Sequence, residues 1–484
     1  MTGADVVVVG AGPAGLACAV TAVRHGLTVD LVDAGWAVGG QYWRHPAPVE
    51  GADGAGAVTA GEVAHLHHDL PTYRALCSRL EEAVAAGRAR TFLGHEVWTV
   101  GRRDGGWEVA ATQRRAAGGR HAPGGGELRV AAPALVVATG AYDTSLPFRG
   151  WDLPGVMTAG GLQALLKGHA VAAGRRVAVA GSGPFLLPVA VGLAESGAEV
   201  VGVYEANPPT RWGRHLPAVA RNVAKLAEGA EYAAALARHR IPLRTGRMVV
   251  EALGTDRVEA VTVARLDATG RPRPDGRTTV AVDAVGVGWG FTPVVDLAVT
   301  AGCATTRTDD GRHVVAETEG RTSVEGVYTA GETTGVGGAA LALAEGERTA
   351  YSVLADRTGH DPDAARLRHL DRRIAALRSF AAAMAQAHAV PAGWVDATAA
   401  ETLVCRCEEV PRAAVDHALR DREARDARQV KQLTRAGMGW CQGRVCEAGC
   451  RALVADRIGR PDRSAATERL VAMPVRMRDL LGTP

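Results

Sequence analysis

Residues 6–9 are four consecutive valines, an apolar β-branched run of the kind that fills a strand buried on both faces of a parallel sheet. A Gly/Ala turn at 10–15 follows, then a helical stretch over 16–25. A second strand over 27–32 ends at Asp33. The same order returns from Arg176: strand 177–180, turn 181–183, helix to 195, and strand 199–204 ending at Glu205. Between the two units the pattern predicts a helix over 73–86, a strand meander near 95–100 and 107–112, and an apolar strand over 135–139. Residues 46–61 are a small-residue insertion, and 114–126 read as an exposed hairpin loop. A strand over 326–330 lies between Gly-rich segments. Residues 363–388 read as a helix with an apolar stripe of Leu367, Leu370, Ile374 and Leu377.

This order predicts an α/β protein with two Rossmann-like dinucleotide-binding domains, one inserted in the other, plus a small C-terminal helical domain. The expected division is 1–145 and 286–355 for the first domain and 150–285 for the inserted one. A helical linker at 360–398, a cysteine-rich module at 400–455 and a tail at 456–484 complete the chain.

Composition narrows the class. The 484 residues carry a net charge of +3, too little for a broad nucleic-acid surface. Only three of the 55 basic residues are Lys (167, 225 and 431), the bias of a GC-rich genome. No apolar run reaches the ~18 residues of a membrane span, and the start lacks a basic targeting region. A cytoplasmic protein is expected. Glycine numbers 60, against about 34 at ordinary usage of about 7%. Five of the eight cysteines fall between 405 and 450, where a uniform spread would put about one.

The first turn, Gly10-Ala11-Gly12-Pro13-Ala14-Gly15, has the spacing that lets a backbone approach a pyrophosphate at a helix N-terminus. Asp33, 18 residues after Gly15, is placed to accept hydrogen bonds from a ribose. The alternative is a tight turn without a ligand. Here the chain begins to resemble the thioredoxin-reductase-like flavoproteins with two dinucleotide-binding domains. Gly39-Gly40-Gln41 resembles their flavin-proximal segment, and Val136-Val137-Ala138-Thr139-Gly140 the strand where the chain leaves the FAD domain. Tyr328-Thr329-Ala330-Gly331-Glu332 resembles the late motif whose acid, commonly Asp, meets the flavin's ribityl chain. The resemblance implies FAD at the first turn, with Gly40, Gln41, Thr139, Gly140, Gly331 and Glu332 around it.

The second turn, Gly181-Ser182-Gly183-Pro184-Phe185-Leu186, lacks the third glycine. Glu205 favours an unmodified ribose over a 2′-phosphate. The resemblance implies NAD here; another adenine nucleotide or a lost ligand are the alternatives. Arg211 and Arg214 are phosphate-pairing candidates or solvated side chains. No Cys-x-x-Cys exists, so the dithiol of a disulfide reductase is missing. Cys18, Cys77 and Cys303 read as small apolar residues. No catalytic acid–base group or nucleophile is assigned.

Cys405-x-Cys407 and Cys441-x₄-Cys446 provide four thiolates for a [2Fe–2S] centre. Structural zinc is the alternative, although it favours wider knuckles. Gly437, Gly439 and Gly443 suit backbone amides aimed at sulfur, and Arg406, Lys431, Arg435 and Arg444 are placed to offset cluster charge. Cys450 lies one helical turn past Cys446. The segment resembles the bacterioferritin-associated ferredoxin-like domain. The strings CRCEEV, KQLTRAGMGWCQGRVC and ATGAYDTSLPFRGWDLPGVMTAGGLQALLK resemble a narrower family, nearly end to end. It is the α (A) subunit of opine oxidase, proline or hydroxyproline dehydrogenase, and hydrogen cyanide synthase.

That family implies an FAD- and [2Fe–2S]-containing electron-transfer subunit. A separate glycine-oxidase-like FAD subunit oxidises the C–N bond, and a small ferredoxin-like subunit is a further partner. An NADH-dependent flavin reductase and a non-catalytic subunit with vestigial nucleotide sites are the alternatives.

Overall fold

The computed structural model describes residues 3–46, 63–114, 127–308, 311–359, 363–462, 471–476 and 480. The expected loop at 114–126 and insertion at 46–61 lie almost wholly outside the described residues.

The first sheet has five parallel strands, in spatial order Val327–Thr329, Ala134–Val137, Val6–Val9, Val29–Asp33 and Ala89–Leu93. Alternation along a strand sends successive side chains to opposite faces. Val6 and Val8 therefore pack with the helix layer, including Leu16, Val20 and Leu354. Val7 and Val9 pack with an antiparallel meander through Val97, Trp107 and Val109. With both faces covered, the strand must be apolar throughout, which is why it reads as four valines.

The second sheet repeats this plan. Its parallel order is Leu243–Thr245, Glu199–Glu205, Arg176–Gly181, Ala284–Gly288 and Val156–Thr158. The helices Ala159–His169 and Leu186–Glu195 contribute to one face. A second meander, Arg247–Leu253, Ala260–Leu266 and Pro272–Ala281, contributes to the other. The expected boundary at 285 falls inside the strand Ala284–Gly288, which belongs to the second sheet. The two sheets are joined by an antiparallel ribbon, Ala141–Asp143 with Phe291–Pro293, so the chain leaves the first sheet and returns to it.

The residues expected to form a linker form the helix Ala364–Ala387, capped by Asp363, whose carboxylate accepts from Ala365 N–H at 2.8 Å. Leu370 is buried in the first core, and Leu367 and Ile374 pack against it. The cysteine module, a short hairpin and the helices Arg412–Arg420, Ala427–Thr434 and Glu447–Ile458, shares a continuous core with the second meander. The tail is not free along its described part. Ala472 N–H donates to Trp98 O at 2.7 Å, and buried Asp462 pairs with Arg451 at 3.0 Å.

Candidate flavin and iron–sulfur sites

Four segments far apart in sequence meet at the first glycine turn. Ala14, Ala138, Ala330 and Ala342 form one small cluster of side chains. Gly39 N–H donates to Ala11 O at 2.8 Å, and a Cβ on Gly40 would stand 2.7 Å from Gly12 Cα. A Cβ on Gly15 would overlap the Gly10 carbonyl oxygen, and one on Gly10 the Ala138 carbonyl. A Cβ on Gly331 would stand 2.7 Å from that of Ala14. Gly10, Gly15, Gly40 and Gly331 are thus fixed by backbone or side-chain atoms packed against them. Around Gly12 the nearest atom to an added Cβ is Gly40 Cα at 3.9 Å, and nothing lies near Gly140, Gly335 or Gly338. These open positions are the side from which a ligand backbone can be approached.

Asp33 Oδ2 accepts from Ala11 N–H and Oδ1 from Gly35 N–H, both at 2.6 Å. Burial pushes its carboxyl up, and the two amides oppose that. Two oxygens with about four lone-pair sites leave acceptor capacity for a ribose. Pro13 opens the helix Pro13–Arg24, where a missing N–H costs nothing. Gln41 Oε1 accepts from Arg44 at 3.0 and 2.7 Å, and Thr139 donates to Val294 O at 2.7 Å. Burial also pushes the Glu332 carboxyl up, with Gly338 N–H opposing it. The glycines, the alternating strands and Asp33 together fit an FAD pyrophosphate and ribose.

At the second turn, a Cβ on Gly181 would overlap the Gly288 carbonyl. The missing third glycine has a structural answer. Leu186 is buried, and its Cδ2 would meet a Cβ on Gly288 at 3.2 Å, so the close approach is supplied by the neighbouring strand. Glu205 Oε2 accepts from Gly183 N–H at 2.8 Å and Oε1 from Asn207 N–H at 2.9 Å. Arg211 and Arg214 fall in the exposed turn Pro209–His215.

The cysteines gather at the C-terminal module. Cys405 and Cys446 are buried, Cys441 is half-buried and Cys407 is exposed. Gly437 N–H donates to Cys405 Sγ at 3.4 Å. Cys446 donates to Cys441, which lowers the Cys441 thiol; burial next opposes that, and the amides of Val445 and Gly443 support it. Burial first pushes Cys407 up, and the Cys441 amide opposes that. Amides aimed at sulfur stabilise thiolates, the ligand form. Gly439 has a steric reason instead: a Cβ there would overlap that of Cys407. Among the described residues, no three His, Cys, Asp or Glu side chains converge on a single-ion position. The four-thiol donor set with its amides fits a [2Fe–2S] centre.

Three of the expected charge-balancing cations have other contacts. Arg406 lies over the Trp151 ring at 5.1 Å, Arg435 pairs with Glu408 at 2.8 Å, and Arg444 lies 3.5 Å from Asp296. Cys18 and Cys303 are buried, and burial pushes the Cys18 thiol up to about 12. Cys77 is only half-buried, beside Tyr73.

Two helices add residues that no motif pointed to. Glu345 accepts from Gly331 N–H and from Thr334, and pairs with Arg378. Their only sequence signal is an acid and a base on helices that otherwise read as packing elements.

Two parallel-sheet units with a glycine turn each, and a four-cysteine module, define the class. The chain belongs to the pyridine nucleotide-disulphide oxidoreductase family, whose profile matches residues 4–348. A BFD-like [2Fe-2S] binding domain matches residues 403–456, which decides between cluster and zinc. The protein is therefore a flavin-dependent oxidoreductase with a [2Fe–2S]-binding domain.

Its relatives narrow the group. It is 31% identical to hydrogen cyanide synthase subunit HcnB of Pseudomonas protegens, over 94% of this chain and 93% of the relative. It is 30% identical to the α (A) subunit of opine oxidase from Agrobacterium tumefaciens, over 99% of this chain and 92% of the relative. The crystal structure of L-proline dehydrogenase from P. horikoshii shares the fold with a TM-score of 0.67 and 21% identity, covering 99% of this chain and 79% of that one. Among the described residues, no helix is long and apolar enough to cross a membrane.

Proposed function

We propose that this chain is the electron-transfer subunit of a multi-subunit dehydrogenase or oxidase acting on the CH–NH or CH–NH2 group of an amino or imino acid. The substrate class is an opine, proline or hydroxyproline, or glycine. A glycine-oxidase-like FAD subunit performs the C–N oxidation, and a small ferredoxin-like subunit is a further partner. The cytoplasm is its place of work.

The observation that carries this reading is the asymmetry of the cysteine module. Cys405 and Cys446 are buried against protein while Cys407 is exposed, so the site is held from one side and reachable from the other. Names of relatives support it, since both the hydrogen cyanide synthase and opine oxidase matches are subunits. The missing Cys-x-x-Cys dithiol argues against disulfide reduction despite the fold.

We assign FAD to Gly10, Gly12, Pro13, Ala14, Gly15, Asp33, Gly40, Gln41, Thr139, Gly140, Gly331 and Glu332, and the cluster to Cys405, Cys407, Cys441 and Cys446. When bound, FAD supplies two-electron chemistry and the cluster one-electron chemistry. Asp33 ties the glycine turn to the end of its strand, and Glu345 holds the Gly331 turn. The amides of Gly437 and Gly443 are directed at the Cys405 and Cys441 sulfurs.

Co-expression with a glycine-oxidase-like flavoprotein encoded beside this chain tests the reading. Co-purification, with amino-acid-dependent dye reduction that needs both chains, is the expected result. Full activity from the partner alone would refute it.

A further inference from the structure

The second glycine turn is where this fold would take a pyridine nucleotide. The residues there do not fit one, because the chain's own backbone is seated on them. Ser182 Oγ donates to the His388 carbonyl at 2.6 Å. Asn207 Nδ2 donates to the Ala389 carbonyl at 3.0 Å and to Ser182 Oγ at 2.7 Å. Trp212 Nε1 donates to His388 Nε2 at 3.2 Å, so Nδ1 carries the hydrogen in the neutral ring. That Nδ1 lies 3.4 Å from Glu205 Oε1. The Trp212 ring also lies 5.6 Å from that of Phe380, on the helix leading to the strap.

The contrast with the first turn is specific. Asp33 is partly exposed, whereas Glu205 is 7% exposed, Ser182 6% and Asn207 3%. The carboxylate that would read a ribose diol already accepts from Gly183 and Asn207, with His388 Nδ1 3.4 Å away. A ribose reaching it must displace the strap and leave Ser182 and Asn207 without their buried acceptors, which is costly.

We propose that the chain at His388 and Ala389 forms a built-in strap that closes the second glycine turn, so that NAD(P)H does not reduce this protein. The closure is a property of this chain and stands whether or not the proposed subunit role is correct. Electrons then enter by a route other than the second turn.

The test uses the full chain with its flavin and cluster. Binding of NADH, NADPH and ADP is measured by equilibrium dialysis, alongside anaerobic mixing with NADH. The wild type is expected to bind none of them below about 1 mM and to keep its flavin oxidised. Ser182→Ala with Asn207→Ala, which unhooks the strap, is expected to tighten ADP binding at least tenfold. Micromolar binding by the wild type, or rapid flavin bleaching by NADH, would overturn the proposal. So would ADP binding that stays equally weak in both proteins, because the strap would not then be what closes the turn. Should the double variant lose its flavin, His388→Ala, on the strap itself, makes the same comparison.

Discussion

Glu345 accepts a hydrogen bond from Gly331 N–H at 3.0 Å. The same oxygen accepts from Thr334 Oγ1 at 3.1 Å, and Arg378 pairs with the other at 3.0 Å. The turn that carries Glu332 is therefore held by a buried carboxylate on the following helix, itself held by Arg378 on the next helix.

Glu345→Ala leaves Gly331 N–H and Arg378 without this partner. The loss is expected to cost about 1–3 kcal/mol, reduced from the fully buried case because Arg378 is half-exposed. Glu345→Gln keeps an acceptor for Gly331 and is expected to be milder. Thermal unfolding and the flavin-to-protein ratio measure both. Equal flavin content in wild type and Glu345→Ala would contradict a role for this contact in holding the flavin turn.

The two glycine turns are expected to respond differently to an added methyl. Gly15→Ala places a Cβ on the Gly10 carbonyl, backbone against backbone, and should yield flavin-free protein. Gly183→Ala meets no atom within 4 Å but has φ of +108°, so it should cost about 1–3 kcal/mol in strain and leave flavin content unchanged. Flavin absorbance per chain distinguishes them. Flavin loss in both would place the flavin elsewhere.

Cys407→Ser and Cys441→Ser are expected to abolish the cluster, read by iron content and electron paramagnetic resonance, while FAD stays bound. The first sheet and the cysteine module have separate cores, which is the physical reason. Cys450→Ser is expected to keep the cluster, since Cys450 stands one turn behind Cys446 on the helix Glu447–Ile458. Cluster loss in Cys450→Ser with retention in Cys407→Ser would exchange their roles.

His45 provides a pH dependence. Both ring nitrogens lack a hydrogen-bond partner among the described residues, and the ring stacks on His67 at 4.6 Å. Burial first, then His67 and Lys167, lowers its pKa to about 4. The unfolded chain, with an ordinary His near 6.5, then binds more protons between about 4 and 6.5. Stability from this group is full above that window and falls as the pH drops through it. The effect is expected to be about 1 kcal/mol after solvent screening of a half-buried ring. His45→Gln should flatten it in urea unfolding between pH 4 and 7; an unchanged pH slope would contradict the assignment.

The parts of this architecture that were legible in the sequence are those set by local rules. Val6–Val9 must be apolar because both sheet faces are covered, and Gly15 must be bare because Gly10 lies under it. The cysteine spacing is read directly. Glu345, Arg378, Ser182, Asn207 and His388 were not legible as a group, because each acts through a partner distant in sequence. Asn207 and Ala389 are 182 residues apart, and nothing local marks them as neighbours. The anchoring of Ala472 and Asp462 is illegible for the same reason: their partners, Trp98 and Arg307 among them, lie far away in sequence.

One chain is assigned both a two-electron flavin and a one-electron cluster. Anaerobic reductive titration of the purified chain, followed by absorbance and electron paramagnetic resonance, tests it most directly. Uptake of about three electrons per chain is expected, two in the flavin and one in the cluster, with a paramagnetic signal that Cys407→Ser removes. Uptake of about two electrons with no such signal in the wild type would contradict it.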